Sequence, residues 1–155
     1  MKPGPEIEGR ERAAAGHRRR RAARPVAIDI VYQADVTGRR PGEIVEEWEA
    51  AGKSVPPYAA ELARAVEADM PEIDAVLGAN AEEWTVPRMA VVDRTILRVA
   101  CYELGAGLAP AIAINEAIEA ANELSTQDSG RFINGVLGRI ARTRETSDPD
   151  VLAEG

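Results

Sequence analysis

The stretch RMAVVDRTILRVACYELG, residues 88–105, is the most strongly apolar helical pattern in the chain. Met89, Val92, Ile96 and Val99 recur three and four residues apart, which places them on one side of a helix. Leu97, Ala100 and Leu104 widen that stripe beyond what a surface helix needs, so this segment belongs at the centre of the molecule. Arg94, Arg98 and Tyr102 fall every four residues on its polar side, beside Asp93. That side is either a partner-binding face or an ordinary wet surface, and periodicity does not choose between them.

Reading outward, Gly105 and Gly107 end the segment and Pro110 opens another. There Ile114, Ala117, Ile118 and Ala121 share a face up to Leu124. Ser125-Thr126-Gln127-Asp128 forms a capping-box-like start for a last helix through Phe132, Ile133, Val136, Leu137 and Ile140. From Thr143 the chain turns polar and includes Pro149, so 143–155 is expected to be a flexible tail.

In the other direction Pro87 ends a connection that holds Trp84, and Pro71 separates helices predicted over 57–69 and 71–79. A short acidic helix over 43–51 turns Ile44, Val45 and Trp48 inward, and Gly52 stops it. Arg39-Arg40-Pro41-Gly42 reads as a turn. Helix one is predicted to open at Pro25, which suits a first helical turn. Its stripe is Val26, Ala27, Ile30 and Val31, and it ends near Asp35. Residues 1–17, rich in Pro, Gly and charge, are expected to be a disordered arm. The reading is therefore all-α, a compact bundle of about seven helices over 18–142, with no fixed-period repeat.

Composition agrees. The 155 residues are 45% apolar but only 4% aromatic, so Ala, Val, Ile and Leu build the core. Alanine favours helix because it loses no side-chain entropy there. Cys101 has no second cysteine to pair with, and one Cys with one His cannot supply a zinc cage. No apolar run approaches a membrane span, and the charged start lacks the apolar core of a signal peptide, so the cytoplasm is the expected location.

The net charge of −7 conceals a polarity. Residues 1–24 hold eight Lys/Arg against three Glu, while the remainder holds eleven against twenty-three acidic residues. Such a chain attracts a polyanion at one end and repels it elsewhere.

Catalysis finds no foothold in the sequence. The one histidine, His17, lies in the arm beside arginines, where a general base cannot hold a fixed geometry. The carboxylates Glu46, Glu47, Glu49, Glu82 and Glu83 read as solvated surfaces, and no glycine-rich phosphate loop is present. The chain is expected not to be an enzyme and to carry no catalytic residue, metal or cofactor.

The strongest local signal is Arg18, Arg19, Arg20, Arg21 and Arg24. Guanidinium groups are planar, always charged, and match phosphate oxygens. A nucleic acid is one reading of this run. A solvated tail, or a contact with an acidic partner including the chain's own acidic body, is the other. Tyr32, off the main stripe of helix one, is either a ring offered to a base or a half-buried packing residue.

Three stretches together resemble the NusB family. The first is Arg18–Arg21 and Arg24 leading into Ala27-Ile28-Asp29-Ile30-Val31-Tyr32-Gln33. The second is Val92-Asp93-Arg94-Thr95-Ile96-Leu97-Arg98-Val99-Ala100-Cys101-Tyr102-Glu103-Leu104. The third is Ala113-Ile114-Asn115-Glu116-Ala117-Ile118-Glu119 with Asp128-Ser129-Gly130-Arg131-Phe132-Ile133-Asn134-Gly135-Val136-Leu137. The resemblance spans about 18–142, with 40–85 matched by helical pattern alone.

That resemblance implies two small helical subdomains and an RNA-binding adaptor in transcription antitermination. It implies boxA-type single-stranded RNA as ligand, the ribosomal protein NusE as partner, and an indirect link to the RNA polymerase elongation complex. By position it puts Arg18, Arg19, Arg20, Arg21, Arg24 and Tyr32 at the RNA, with a second RNA patch at Leu124, Asp128 and Phe132. Asp93, with Arg94, corresponds to the NusE contact, while Asn115, Glu116, Asn134 and Gly135 are structural motif residues. Some relatives also form a homodimer that hides the RNA surface. Two departures stand out: Pro25 follows the last arginine, and Leu124 replaces an aromatic found in some relatives. The competing reading is a helical protein–protein module that docks through the Arg94/Arg98 face without touching RNA.

Overall fold

The computed structural model describes residues 2, 4–124 and 127–147, and among them every regular element is helical. The α-helices are α1 (Pro5–Thr37), α2 (Pro41–Ala50), α3 (Pro57–Ala68), α4 (Met70–Asn80), α5 (Val91–Gly105), α6 (Pro110–Leu124) and α7 (Gln127–Ser147), and a 3₁₀ turn (Val86–Arg88) precedes α5. Proline occupies the first turn of α1, α2 and α3, where its missing N–H would be unpaired in any case. Gly38 ends α1 in the left-handed region at φ 69°, which lets its N–H reach the carbonyls of Ala34 and Asp35.

Helices α1–α3 pack on one another, α4–α7 form a second set, and α5 touches members of both. Ile96, Leu97 and Val99 of α5 are buried in one core that also holds Ile30, Leu62 and Val66 from the first set. Leu77, Ile133, Leu137 and Ile140 complete it from the second set. The central place expected for the 88–105 stretch is thus observed, although its helix begins at Val91, after the 3₁₀ turn. Alanines at 23, 27, 59, 60 and 63 let α1 and α3 approach closely.

Polar clasps fix the geometry. Arg98 donates to both Asp74 oxygens, from Nε at 2.9 Å and from Nη2 at 2.8 Å, so α5 holds α4. Arg94 Nε donates to Asp35 of α1 at 2.9 Å, and its Nη1 reaches the carbonyls of Val86 and Pro87. Trp48 is half-buried, with its Nε1 donating to Gln33 at 3.0 Å.

The two ends differ from the sequence expectation. The arm expected to be disordered over 1–17 is helical from Pro5, with its side chains mostly exposed. Ala13-Ala14-Ala15 and the surrounding Arg and Glu are strong helix formers, and Glu6–Arg10 and Glu8–Arg12 stand at the favourable i,i+4 spacing. Pro25 therefore does not open the helix; it sits inside it, exposed, and removes one N–H from the ladder. At the other end α7 continues past Thr143 to Ser147. The rest of the expected tail, 148–155, and Ser125-Thr126 of the capping pattern lie outside the described residues. Among the described residues no helix is long and apolar enough to cross a membrane, and no Cys, His or acidic cluster could hold a metal ion.

Two outcomes follow from this core. Leu97→Ala should lower stability by about 2–5 kcal/mol in urea titration, because Leu97 is fully buried where helices converge. Burial pushes the Cys101 thiol up to about 11, so little thiolate exists at neutral pH. A disulfide reagent at pH 8 should label Cys101 slowly in native protein and rapidly in denaturant.

Candidate nucleic-acid interface

α1 carries the arginine cluster, and its helical phase divides that cluster into two kinds of residue. Arg18, Arg19, Arg20 and Arg21 are exposed. Among the described residues Arg18 and Arg19 form no ion pair, and the Arg20 guanidinium lies 5.8 Å from the centre of the Tyr58 ring. Arg21 reaches α6, where its Nη2 donates to Glu119 at 3.2 Å and its Nε lies 3.4 Å from Glu116. The Arg21–Glu119 pair is exposed on both sides and contributes little, and Glu116 is a half-buried carboxylate at 3.4 Å, so Arg21 can exchange Glu119 for another anion.

Arg24 behaves differently and corrects an expectation. It is 5% exposed, its Nε donates to both Glu103 oxygens at 2.9 Å, and Glu103 is itself buried. Tyr58 donates its hydroxyl proton to the same Glu103 at 2.7 Å, joining α1, α3 and α5 in one buried knot. Burial alone would lower the Arg24 pKa, but the hydrogen bond and charge of Glu103 outweigh it and leave the pKa raised. Burial, aided by the Glu103 contact, also raises the Tyr58 phenol. Arg24 therefore positions the arm and offers no free guanidinium to a ligand. The sequence held the signal: residues 24, 27, 28 and 31 fall on one helical stripe, and the neighbouring arginines hid it.

Tyr32 is exposed on α1, one turn beyond the likewise exposed Asp29. Leu124, at the end of α6, is half exposed. Leu124, Arg21 and Arg24 line a slot of about 310 Å³ between α1 and α6. Asp128 is exposed and Phe132 half-buried on α7. Both line a wider groove of about 720 Å³ together with Asp93. Sequence reasoning missed Trp84, Arg88 and Arg131 in that groove, and Asp29, Glu116 and Glu119 at the slot. Trp84 is an exposed tryptophan in a charged connection, which was the available signal. Arg88, Arg131, Asp29 and Glu119 look like any solvated charge, and Glu116 reads by resemblance as a structural motif residue.

Asp93 is 8% exposed, and its Oδ1 has no hydrogen-bond partner among the described residues. A buried carboxylate oxygen without a donor is costly, so this end of the groove is chemically incomplete. Arg94, its neighbour, is committed to Asp35 and to the 3₁₀ turn.

The family model described as the NusB family matches residues 21–142, which takes in the Arg21 end of the arm, the slot and the groove. The chain belongs to the NusB family. A transcription antitermination protein NusB of Salinispora tropica is 43% identical over 128 residues, covering 79% of this chain and 94% of the relative. Its namesake in Rubrobacter xylanophilus is 42% identical over 120 residues, covering 76% and 86%. Among solved structures, T. maritima NusB superposes with a TM-score of 0.71 at 31% identity, covering 79% of this chain and 90% of that one. A chain from a crystal structure of antitermination factors NusB and NusE in complex with dsRNA gives 0.72 at 26% identity, covering 81% and 98%.

Arg24→Ala should cost about 3–5 kcal/mol in thermal or urea unfolding, because it strands the buried Glu103 carboxylate. Arg18→Ala, on the exposed arm of this NusB-family chain, should leave the midpoint unchanged.

Proposed function

We propose that this chain is a transcription antitermination adaptor without catalytic chemistry. It binds boxA-type single-stranded RNA of ribosomal RNA operons together with NusE, and through the elongation complex helps RNA polymerase resist termination. Membership of the NusB family over 21–142 carries this reading. The cytoplasm, where nascent RNA is made, is the location it requires.

The geometry supplies a mechanism. Arg18, Arg19 and Arg20 neutralise phosphates and release counterions, and Arg21 joins them by giving up its contact with Glu119. Tyr32 and Phe132 offer rings against which unstacked bases rest, while Leu124 adds apolar surface at the slot and Asp128 adds polar surface beside Phe132 in the groove. Asp93 accepts a hydrogen bond from a donor on NusE, which would complete its unsatisfied oxygen. Arg94 supports that contact from behind by fixing the start of α5.

The rival, a protein-docking module acting through Arg94 and Arg98, has less to work with. Both side chains are only 12% exposed and already engaged by Asp35 and Asp74.

Titration of boxA-like and scrambled RNA, with and without NusE, at two salt concentrations tests the proposal. The triple variant Arg18→Ala, Arg19→Ala, Arg20→Ala should weaken RNA binding and flatten its salt dependence by about two logarithmic units per unit of log salt at most. Unchanged binding by the variant would remove the arm from the RNA site. No preference for boxA under any condition would remove the function.

A further inference from the structure

The slot between α1 and α6 has apolar walls and a charged mouth. Ile28 of α1 faces Ala117 and Ala120 of α6, with the buried Val99 and Ala100 of α5 as its floor. The alanines keep it open, since a longer side chain at 117 or 120 would fill the space. Apolar atoms bordering such a gap forgo dispersion contacts that a flat, weakly hydrated group would restore. At about 310 Å³ the slot falls at the lower end of the range for small-ligand sites.

The charges at the mouth select among entrants. Arg24 is taken by Glu103, and Arg21 by Glu116 and Glu119. Asp29 and Glu123 also line the slot, and among the described residues neither has an ion-pair partner. The surplus is therefore negative, which repels a phosphate and favours a neutral ring bearing N–H donors. One end of the slot is Arg21, continuous with the exposed arginines, so a strand held there has a base within reach.

We propose that this slot is a nucleobase subsite. An unstacked guanine inserts between α1 and α6 and donates its N1–H and N2–H to the two Asp29 oxygens. Guanine is the base that presents two adjacent donors to a carboxylate. Adenine and cytosine present one amino group beside an acceptor, and uracil presents one N–H flanked by carbonyls that a carboxylate repels. Partial desolvation against the slot wall raises the Asp29 carboxyl above its ordinary value although the residue is exposed, so a donor pair there would favour its charged form. The inference rests on the RNA-binding reading and adds to it a position, a base and a recognition residue.

The test is an abasic scan. Full-length protein is titrated by fluorescence anisotropy against a boxA-like RNA and against versions made abasic at each nucleotide in turn. Wild type should show a guanine position whose loss costs about tenfold in affinity, the scale of one misread base. In Asp29→Asn and in Ala120→Leu that penalty should fall below about twofold, with the salt dependence unchanged. Inosine at that position, which lacks the N2 amino group, should weaken wild type and not Asp29→Asn. Asp29 is exposed, so its variant folds even if Ala120→Leu does not. Penalties equal in wild type and both variants would overturn the subsite while leaving RNA binding intact. So would variants that bind every RNA as wild type does but lose affinity for NusE, which would assign the slot to a protein. Absence of any RNA binding by wild type would remove the underlying reading as well.

Discussion

The Arg24–Glu103 pair, with the Tyr58 hydroxyl closing it, is the contact on which the exposed arm depends. It is buried, so it is not weakened by salt as a surface pair is. Each partner would be an uncompensated charge without the other. The pair fixes the rotation of α1 about its own axis, and every residue upstream inherits its direction from that setting. Arg21 meets α6, Arg20 lies by Tyr58, and Arg18 and Arg19 remain free because Arg24 faces inward.

A second clasp lies nearer the start of α5, where Arg94 and Arg98 take Asp35 of α1 and Asp74 of α4. Two polar anchors along one central helix hold the two helix sets in register over a core that is otherwise alanine and branched aliphatic. Apolar packing of that kind is non-directional and tolerates sliding, whereas a bidentate guanidinium–carboxylate contact does not. The arginines of α5 thus act in the architecture, while Arg18 to Arg21 of α1 stay exposed outside it.

The slot and the groove are by-products of this arrangement with different characters. The slot is walled by alanines and edged with surplus carboxylate, while the groove mixes Trp84 and Phe132 with both signs of charge and a buried unsatisfied Asp93. Several residues placed at the RNA by family resemblance are accessible: Arg18 to Arg21, Tyr32, Leu124 and Asp128 are exposed, and Phe132 is half so. Arg24 is not, because a charge run read as a unit hides which member falls on the inward stripe. Asp29, Trp84 and Arg131 carry no site role in the sequence reading because their significance is proximity to residues far away in the chain.

The amino-acid sequence by itself determined the elements. Proline and glycine punctuation, alanine content and three-four periodicity are local properties, so α2 to α6 fall within a few residues of their predicted ranges. It also determined the family, through motifs that are contiguous in the chain. Only the tertiary structure decided which charges are spent inside the fold and which are left outside. The partner that neutralises Arg24 lies seventy-nine residues away, and those of Arg94 and Arg98 lie between twenty-four and sixty-three. Pairing over such separations depends on how helices cross, which no single helix records.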